Sequence, residues 1–212
     1  LRHTELLKGE NFNPVSRNYL HAIRNARQLR SITMDIVNVV ASGHLGREFD
    51  LAVLKLDLSQ LQSPIELEHN PEDFHGLVIR FNSESFVIIL YSSGSYVIMG
   101  ANSKEKVVEA QKILMNLLLE LDIEFESNSP SISNIIYKED ISLDINLNIL
   151  LTKLGFETAE YEPETSPFLY YWPEEFDCLI TIPSSGELVI TGTTDAESAK
   201  DAVSHLLDVL NS

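Results

Sequence analysis

Short apolar-rich segments separated by turn residues recur along most of the chain, a pattern typical of β-strands. An alternating strand is predicted over Ile36–Ser42, followed by a short helix over Asp50–Lys55. A longer helix, capped by Asn102 or Ser103, is predicted from the 3.6-residue spacing of its apolar positions. Between the two helices lie four predicted strands: Ile65–Glu68, Leu77–Phe81, Phe86–Tyr91 and Tyr96–Met99. This order predicts an α+β unit with helices on one face of an antiparallel sheet.

The pattern occurs twice along the chain. Ser92–Gly100 recurs as Ser184–Gly192 at an offset of 92 residues, and seven of the 14 positions from 92 to 105 are identical in the second copy. Asn38–Val40 recurs as Asn134–Ile136 at an offset of 96, which one short insertion explains. Such a recurrence indicates two copies of one structural unit. The predicted organisation is a basic helical extension over residues 1–32, a first repeat over 33–122 and a second repeat over 123–212.

Several predicted strands are apolar on both faces. Phe86–Tyr91, Tyr96–Met99 and Leu188–Ile190 do not alternate, whereas a strand with one wet face should. The helices can cover only one face of the sheet. Three interpretations remain for the other face: it is covered by the N-terminal segment, it is covered by a partner subunit, or it is an exposed binding surface.

Charge is distributed unevenly along the chain. The whole sequence has 15 basic and 32 acidic residues, a net charge of −17. The net charge is +4 over residues 1–33, −7 over residues 34–122 and −14 over residues 123–212. Because nucleic-acid binding needs cations near phosphate, the second repeat is electrostatically a poor partner for DNA.

Three groups of residues carry a resemblance to a known family. They are Asn38–Ser42, Asn70–Arg80 and Ser92–Ser103, and the second repeat matches at Tyr161–Glu164 and Ser185–Gly192. From about Met34 to Leu210, the chain resembles the TATA-box-binding protein family. The resemblance implies a saddle, in which two pseudo-symmetric repeats form one curved antiparallel sheet with helices on the convex side. It also implies that the concave side binds the minor groove of DNA, where apolar wedges unstack and kink base steps.

The resemblance assigns DNA-contacting roles most completely in the first repeat. Phe74 and Tyr91 occupy the two wedge positions, Asn38 the central groove position, and Arg80 the position of a phosphate-binding arginine. Ser95 stands where the family commonly has a phosphate-binding lysine. The other implied DNA-contacting residues are Val40, Ile89, Val97 and Met99 in the first repeat and Asn134, Ile136, Val189 and Thr191 in the second.

The second repeat departs from the family at the positions that bend and anchor DNA. Ser166 and Pro183 occupy the wedge positions, and Trp172 replaces the arginine. Glu187 replaces the lysine, which predicts repulsion beside a phosphate. Phe168, two residues beyond Ser166, presents a wedge only if the loop takes a different path, and a proline can itself wedge a base step.

An acidic loop of the second repeat retains the family pattern. Glu162 and Glu164 stand where the family docks transcription factor B, and exposed carboxylates suit a basic partner. The alternative is that both are solvated loop acids. The resemblance therefore implies two partners, A·T-rich double-stranded promoter DNA and a transcription factor B-type protein.

The N-terminal extension has a basic amphipathic pattern. Pro14–Arg30 is predicted to form a helix with Arg17, Arg24 and Arg27 on one side. Three interpretations remain: a basic arm that adds phosphate contacts, a segment that folds back on the acidic core, and a plain helix with solvated arginines. Deletion of residues 1–30 is expected to change DNA affinity.

Signatures of other function classes are sparse. No apolar run is long enough to span a membrane, and one cysteine excludes a disulfide framework and a multi-cysteine zinc site. The six histidines lack ligand spacing, Cys178 is expected to be a core residue, and Glu174-Glu175 with Asp177 is expected to form a turn. No catalysis, cofactor, metal, membrane or small-molecule substrate is expected. An intracellular location is expected, in the cytoplasm or nucleoid of an archaeon or in the nucleus of a eukaryote.

The function expected from the resemblance is that of a general transcription factor. It would bind promoter DNA in the minor groove, bend it, and recruit transcription factor B and RNA polymerase. The alternative is a diverged member of the same fold that acts as a protein-interaction scaffold with weak or no DNA binding. The departures in the second repeat are the evidence for that alternative.

Overall fold

A computed structural model describes residues 32–126 and 128–212 of the chain. The predictions for the N-terminal extension, including the helix over Pro14–Arg30, lie outside the described residues.

Both repeats follow the predicted order of strand, helix, four strands and helix. The first repeat consists of β1 (Asp35–His44), α1 (Leu51–Gln60), β2 (Ile65–Asn70), β3 (Phe74–Phe81), β4 (Val87–Tyr91), β5 (Ser95–Ala101) and α2 (Lys104–Glu120). The second consists of β6 (Ser131–Asp140), α3 (Leu147–Leu154), β7 (Ala159–Glu160), β8 (Leu169–Tyr171), β9 (Leu179–Ile182), β10 (Glu187–Thr191) and α4 (Ala196–Asn211). The boundary between residues 122 and 123 stays a prediction; it falls between the end of α2 and the start of β6.

Helix α1 extends beyond its predicted end at Lys55. Leu51, Leu54 and Leu58 are all buried, at a spacing of three and four residues, so their burial continues one more turn. The sequence did not indicate this last turn, because Lys55 and Asp57 interrupt the apolar residues and Leu56 between them is exposed.

Helix caps occur at matching positions of the two repeats. The Asp50 carboxylate accepts hydrogen bonds from the first-turn backbone of α1, and Asn146 does the same for α3 at an offset of 96. Ser103 caps α2 and Asp195 caps α4, at an offset of 92. Each cap satisfies N–H groups that have no partner within the helix. The start of every described helix is therefore fixed by local sequence.

All ten strands of the described residues join in one antiparallel sheet. The strand order is β2-β3-β4-β5-β1-β6-β10-β9-β8-β7. Strands β1 and β6 pair at the centre, with Val39 opposite Ile135 and Val40 opposite Asn134. Outward from this junction, each strand of one repeat holds the same place in the order as its counterpart in the other. The repeats therefore join edge to edge, as the resemblance implied.

The hydrophobic core lies on one face of this sheet. Alternate strand residues such as Ile88, Ile98 and Ile190 are fully buried, and they form one cluster with buried helix residues such as Leu114 and Leu206. In the described part of the chain the four helices lie on this face. The opposite face, which we call the open face, consists of the intervening residues of each strand, and most of these are only half-buried. None of the described helices is long and apolar enough to cross a membrane.

Candidate nucleic-acid interface

An apolar row crosses the open face of the first repeat. Val78 lies opposite Ile89, Ile89 opposite Val97, and Val97 opposite Ser42. Residues paired across antiparallel strands project to the same side of a sheet. Met99, opposite Val87, continues the same surface. The predicted groove-facing residues of this repeat therefore form one continuous apolar strip.

At the centre of the sheet, the junction of the repeats brings four predicted residues together. Asn38 lies opposite Ile136, and Val40 lies opposite Asn134. All four are half-buried and belong to the open face. A polar amide and an apolar side chain thus alternate on each side of the pseudo-twofold axis.

The two asparagine amides are held in the same orientation by backbone groups. The N–H of Gly100 donates to Asn38 Oδ1 at 2.7 Å, and the N–H of Gly192 donates to Asn134 Oδ1 at 3.0 Å. Both glycines have positive φ, +83° and +99°, a conformation that side chains rarely adopt. Because a backbone N–H only donates, each amide must turn its oxygen toward the glycine. The Nδ2 donors are thereby directed away from it.

An aromatic pair lies toward the outer side of the first repeat. The rings of Phe74 and Tyr91 are 6.2 Å apart in an edge-to-face arrangement. Phe74 remains 41% exposed although it is a large apolar side chain. Tyr91 lies opposite Gly76, which places the pair beside the apolar strip. The structure therefore brings the two predicted wedge residues together.

The matching region of the second repeat has a different surface. Val189 lies opposite Thr181, and Thr181 lies opposite Tyr170. Sequence reasoning missed Thr181 and Tyr170 as residues of the open face. The available signal was the alternation from 168 to 172, in which Leu169 and Tyr171 are buried while the three aromatic residues between and beside them are not: Phe168, Tyr170 and Trp172.

Charge on the open face also differs between the repeats. Lys138, which sequence reasoning did not single out, forms an ion pair with Glu187, with Nζ and Oε1 3.1 Å apart. Both side chains are about half exposed, so solvent screens the pair and limits its contribution to stability to about 1 kcal/mol or less. The Glu187 charge is thus partly neutralised within the protein. The same contact engages the cation of Lys138.

Both repeats match the family described as "Transcription factor TFIID (or TATA-binding protein, TBP)", over residues 33–121 and 129–212. The chain belongs to the TATA-binding protein family. It is 38% identical over 179 residues to TATA-box-binding protein B of Halobacterium salinarum, covering 84% of this chain and 93% of that protein. It is 37% identical over 175 residues to TATA-box-binding protein 1 of Haloferax volcanii, covering 81% and 89%.

A solved structure shows the same fold. The TATA-binding protein of Methanococcus jannaschii superposes with a TM-score of 0.70 at 32% identity, covering 84% of this chain and 97% of that one. The predicted family and the predicted saddle, one curved antiparallel sheet with four helices, are both confirmed. Membership of the TATA-binding protein family supports the role of a general transcription factor, and the proteins of this family are non-enzymatic transcription factors.

The acidic loop of this TATA-binding protein family member lies between β7 and β8, at the outer edge of the sheet. Glu162 and Glu164 are both exposed. The Glu162 carbonyl accepts hydrogen bonds from Thr165 N and Ser166 N, at 3.0 and 2.9 Å. These bonds hold the loop in a tight turn, in which the exposed Glu162 carboxylate also accepts a hydrogen bond from the Thr165 hydroxyl at 3.1 Å.

Groups that could carry other chemistry are occupied by structural roles. Cys178 is buried, and burial, followed by the nearby Asp177, raises the pKa of its thiol, which disfavours the reactive thiolate. Glu174 and Glu175 lie in the predicted turn. Within residues 32–126 and 128–212, no three His, Cys, Asp or Glu side chains are arranged to hold a metal ion.

Proposed function

We propose that this chain binds A·T-rich promoter DNA in the minor groove through its open face, bends the duplex, and recruits a transcription factor B-type protein and RNA polymerase. The observation that carries this proposal is the pair of asparagine amides fixed by Gly100 and Gly192 within an apolar strip. The minor groove of every A·T pair presents only acceptors, the A N3 and T O2 atoms. The Asn38 and Asn134 amides lie on the open face and carry donors that complement these acceptors.

The remaining open-face residues fit a groove floor and its ends. The half-buried side chains of Val40, Ile89, Val97 and Met99 displace water from a narrow groove without needing partners, and Ile136, Val189 and Thr191 do so in the second repeat. At the outer side of the first repeat, Phe74 and Tyr91 form an aromatic wedge that unstacks a base step. The exposed guanidinium of Arg80 reaches a phosphate.

Glu162 and Glu164 supply the partner-docking surface in this proposal. Their carboxylates are exposed and lie at the sheet edge, outside the open face that receives DNA. A basic surface of a transcription factor B-type protein is complementary to them. A general transcription factor acts where the DNA is, and the relatives are archaeal, so the nucleoid is the proposed location.

A bending assay tests the proposal. An A·T-rich duplex with a donor and an acceptor dye at its ends is titrated with the protein, and energy transfer reports the bend. We expect the wild type to increase energy transfer and Phe74→Ala to reduce the bend and weaken affinity by about tenfold, because a buried aromatic contact is lost. Phe156→Ala is the matched control, since Phe156 is also an exposed phenylalanine but lies in the α3–β7 connection.

The same assay distinguishes a second candidate function, a protein-interaction scaffold. That candidate is favoured by the acidic second repeat, where the Lys138 cation of the open face is engaged by Glu187. Absence of binding to any duplex at low salt would overturn the DNA proposal in its favour. Addition of a transcription factor B-type protein should raise the affinity of the wild type, and the double substitution Glu162→Gln/Glu164→Gln should remove that gain only.

A further inference from the structure

We propose that Phe168 is the base-step wedge of the second repeat, delivered from a position two residues further along the chain than the wedge of the first repeat. This inference rests on the proposed function. It replaces the interpretation that the second repeat has lost its wedge because Ser166 and Pro183 are not aromatic.

A large and a small side chain are exchanged between two matched positions of the repeats. Phe74 and Gly76 of the first repeat correspond, at the offset of 92, to Ser166 and Phe168 of the second. Each repeat therefore has one phenylalanine and one small residue at these two positions. Their order is reversed.

In the first repeat, the Phe74 ring occupies the space beside Gly76. A side chain at Gly76 would begin 2.6 Å from the Phe74 ring and 2.7 Å from Ile89 Cγ2. The Phe74 ring thus lies over position 76, and a larger residue there would exclude it. In this proposal the small Ser166 of the second repeat leaves the matching place to the side chain of residue 168.

The alternation of side chains along β8 defines the face of the sheet expected for Phe168. Leu169 lies opposite Ile182 with both side chains in the core, and Tyr170 lies opposite Thr181 on the open face. Phe168 lies in the bend directly before β8, where continuing this alternation would place it on the open face with Tyr170. Phe168 is 39% exposed, close to the value for Phe74.

Local hydrogen bonds hold the loop before β8 in position. Phe168 N donates to Ser166 Oγ at 3.2 Å, and Ser166 Oγ lies 3.1 Å from the hydroxyl of Tyr170. These contacts tie the loop to β8, so that less freedom is lost when the ring contacts DNA. Ser166 is therefore a positioning residue in this inference.

The chemistry also suits the acidic second repeat. A ring that inserts between bases acts through stacking and apolar contact, and it needs no cation close by. It is therefore compatible with Glu187 in a way that phosphate binding is not. A protein partner for the same ring is the competing occupant, and the experiment separates the two.

The test measures unstacking at both ends of the bound site. A fluorescent adenine analogue, brighter when unstacked, is placed at one terminal step or the other of an A·T-rich duplex, and the two signals are summed so that binding orientation does not matter. We expect Phe168→Gly to lower the sum by about half, because one of two wedges is lost. The double substitution Ser166→Phe/Phe168→Gly recreates the arrangement of the first repeat and should restore the signal.

Controls and contrary outcomes follow from the same readout. Phe156→Ala should leave the summed signal unchanged, and circular dichroism checks that each variant is folded. An unchanged sum in Phe168→Gly, with complete loss in Phe74→Ala, would overturn this inference and leave the proposed function standing. No unstacking by the wild type at either end would instead contradict the proposed function. Restoration by the double substitution shows that the loop still folds without Phe168, whereas the loss of signal in Phe168→Gly alone is what assigns the wedge to Phe168.

Discussion

The two repeats share a backbone plan but differ on the surface that they present. At the centre, Asn38 and Asn134 make the same hydrogen bond to a glycine of positive φ. Toward the outer side, the first repeat has an aromatic pair and Arg80. The matching positions of the second repeat hold Ser166, Pro183 and Trp172. The surfaces of the two repeats are therefore most similar near the pseudo-twofold axis and least similar at the outer side of each repeat, which we call the rim.

The different structural roles of central and outer residues explain why the two repeats become less similar toward the rim. Each central asparagine satisfies a backbone N–H of the sheet, so its replacement by a side chain without an acceptor would leave that group unpaired. Phe74, Arg80 and Trp172 are exposed, and substitution of exposed residues changes stability little. The rim of one repeat can therefore diverge without loss of the fold, whereas the centre cannot.

The largest expected effect is on the central amides. Asn38→Asp and Asn134→Asp keep an oxygen for the glycine N–H but replace the Nδ2 donors with an anion. We expect each to weaken DNA binding by roughly 100-fold, about 3 kcal/mol, because a donor is lost and a charge faces groove acceptors. Fluorescence anisotropy with an A·T-rich duplex measures this loss, and thermal melting should change little.

Asn148→Asp is the matched control for these two variants. It adds the same charge on α3, in the helix layer, and should leave affinity nearly unchanged. A tenfold difference between the effects at Asn38 and Asn134 would contradict the equivalence of the two repeats at the centre.

A smaller effect is expected at the matched pair Arg80 and Trp172. Arg80→Ala should weaken binding about tenfold and reduce the slope of log affinity against log salt by about one, because one phosphate contact is lost. Trp172→Ala should leave that slope unchanged, since an indole releases no counterion. Binding isotherms at several salt concentrations provide the measurement, and equal slopes in both variants would argue against a phosphate contact by Arg80.

The smallest effect is expected at Glu187. Glu187→Ser copies Ser95 of the first repeat. It removes an anion from the start of β10 and releases Lys138 from its ion pair. We expect affinity at low salt to rise a few-fold, by about 1 kcal/mol or less, and to fall again when Lys138→Ala is added. If the gain persists in the double variant, Lys138 does not contribute and only the repulsion by Glu187 matters.

Most of the fold could be predicted because its signals are local or periodic. The recurrence of Ser92–Gly100, the capping residues Ser103 and Asp195, and the apolar strands are all visible in the sequence. The twelve DNA-contacting residues were assigned by resemblance, and their contact with DNA stays a proposal. Lys138 was missed because its partner Glu187 lies 49 residues away and meets it only through the pairing of β6 with β10.

The sequence by itself determined the two repeats, their order of strands and helices, and the doubly apolar strands, because propensity, capping and hydrophobic periodicity act over a few residues. Only the tertiary structure decided which face of the sheet the described helices leave uncovered, which way the asparagine amides turn, and that a side chain at Gly76 would collide with the Phe74 ring. The first two depend on contacts between segments that are distant in sequence, and the Phe74 ring also packs against Tyr91 of the neighbouring strand. Their geometry is fixed when the sheet forms and the helices cover its other face.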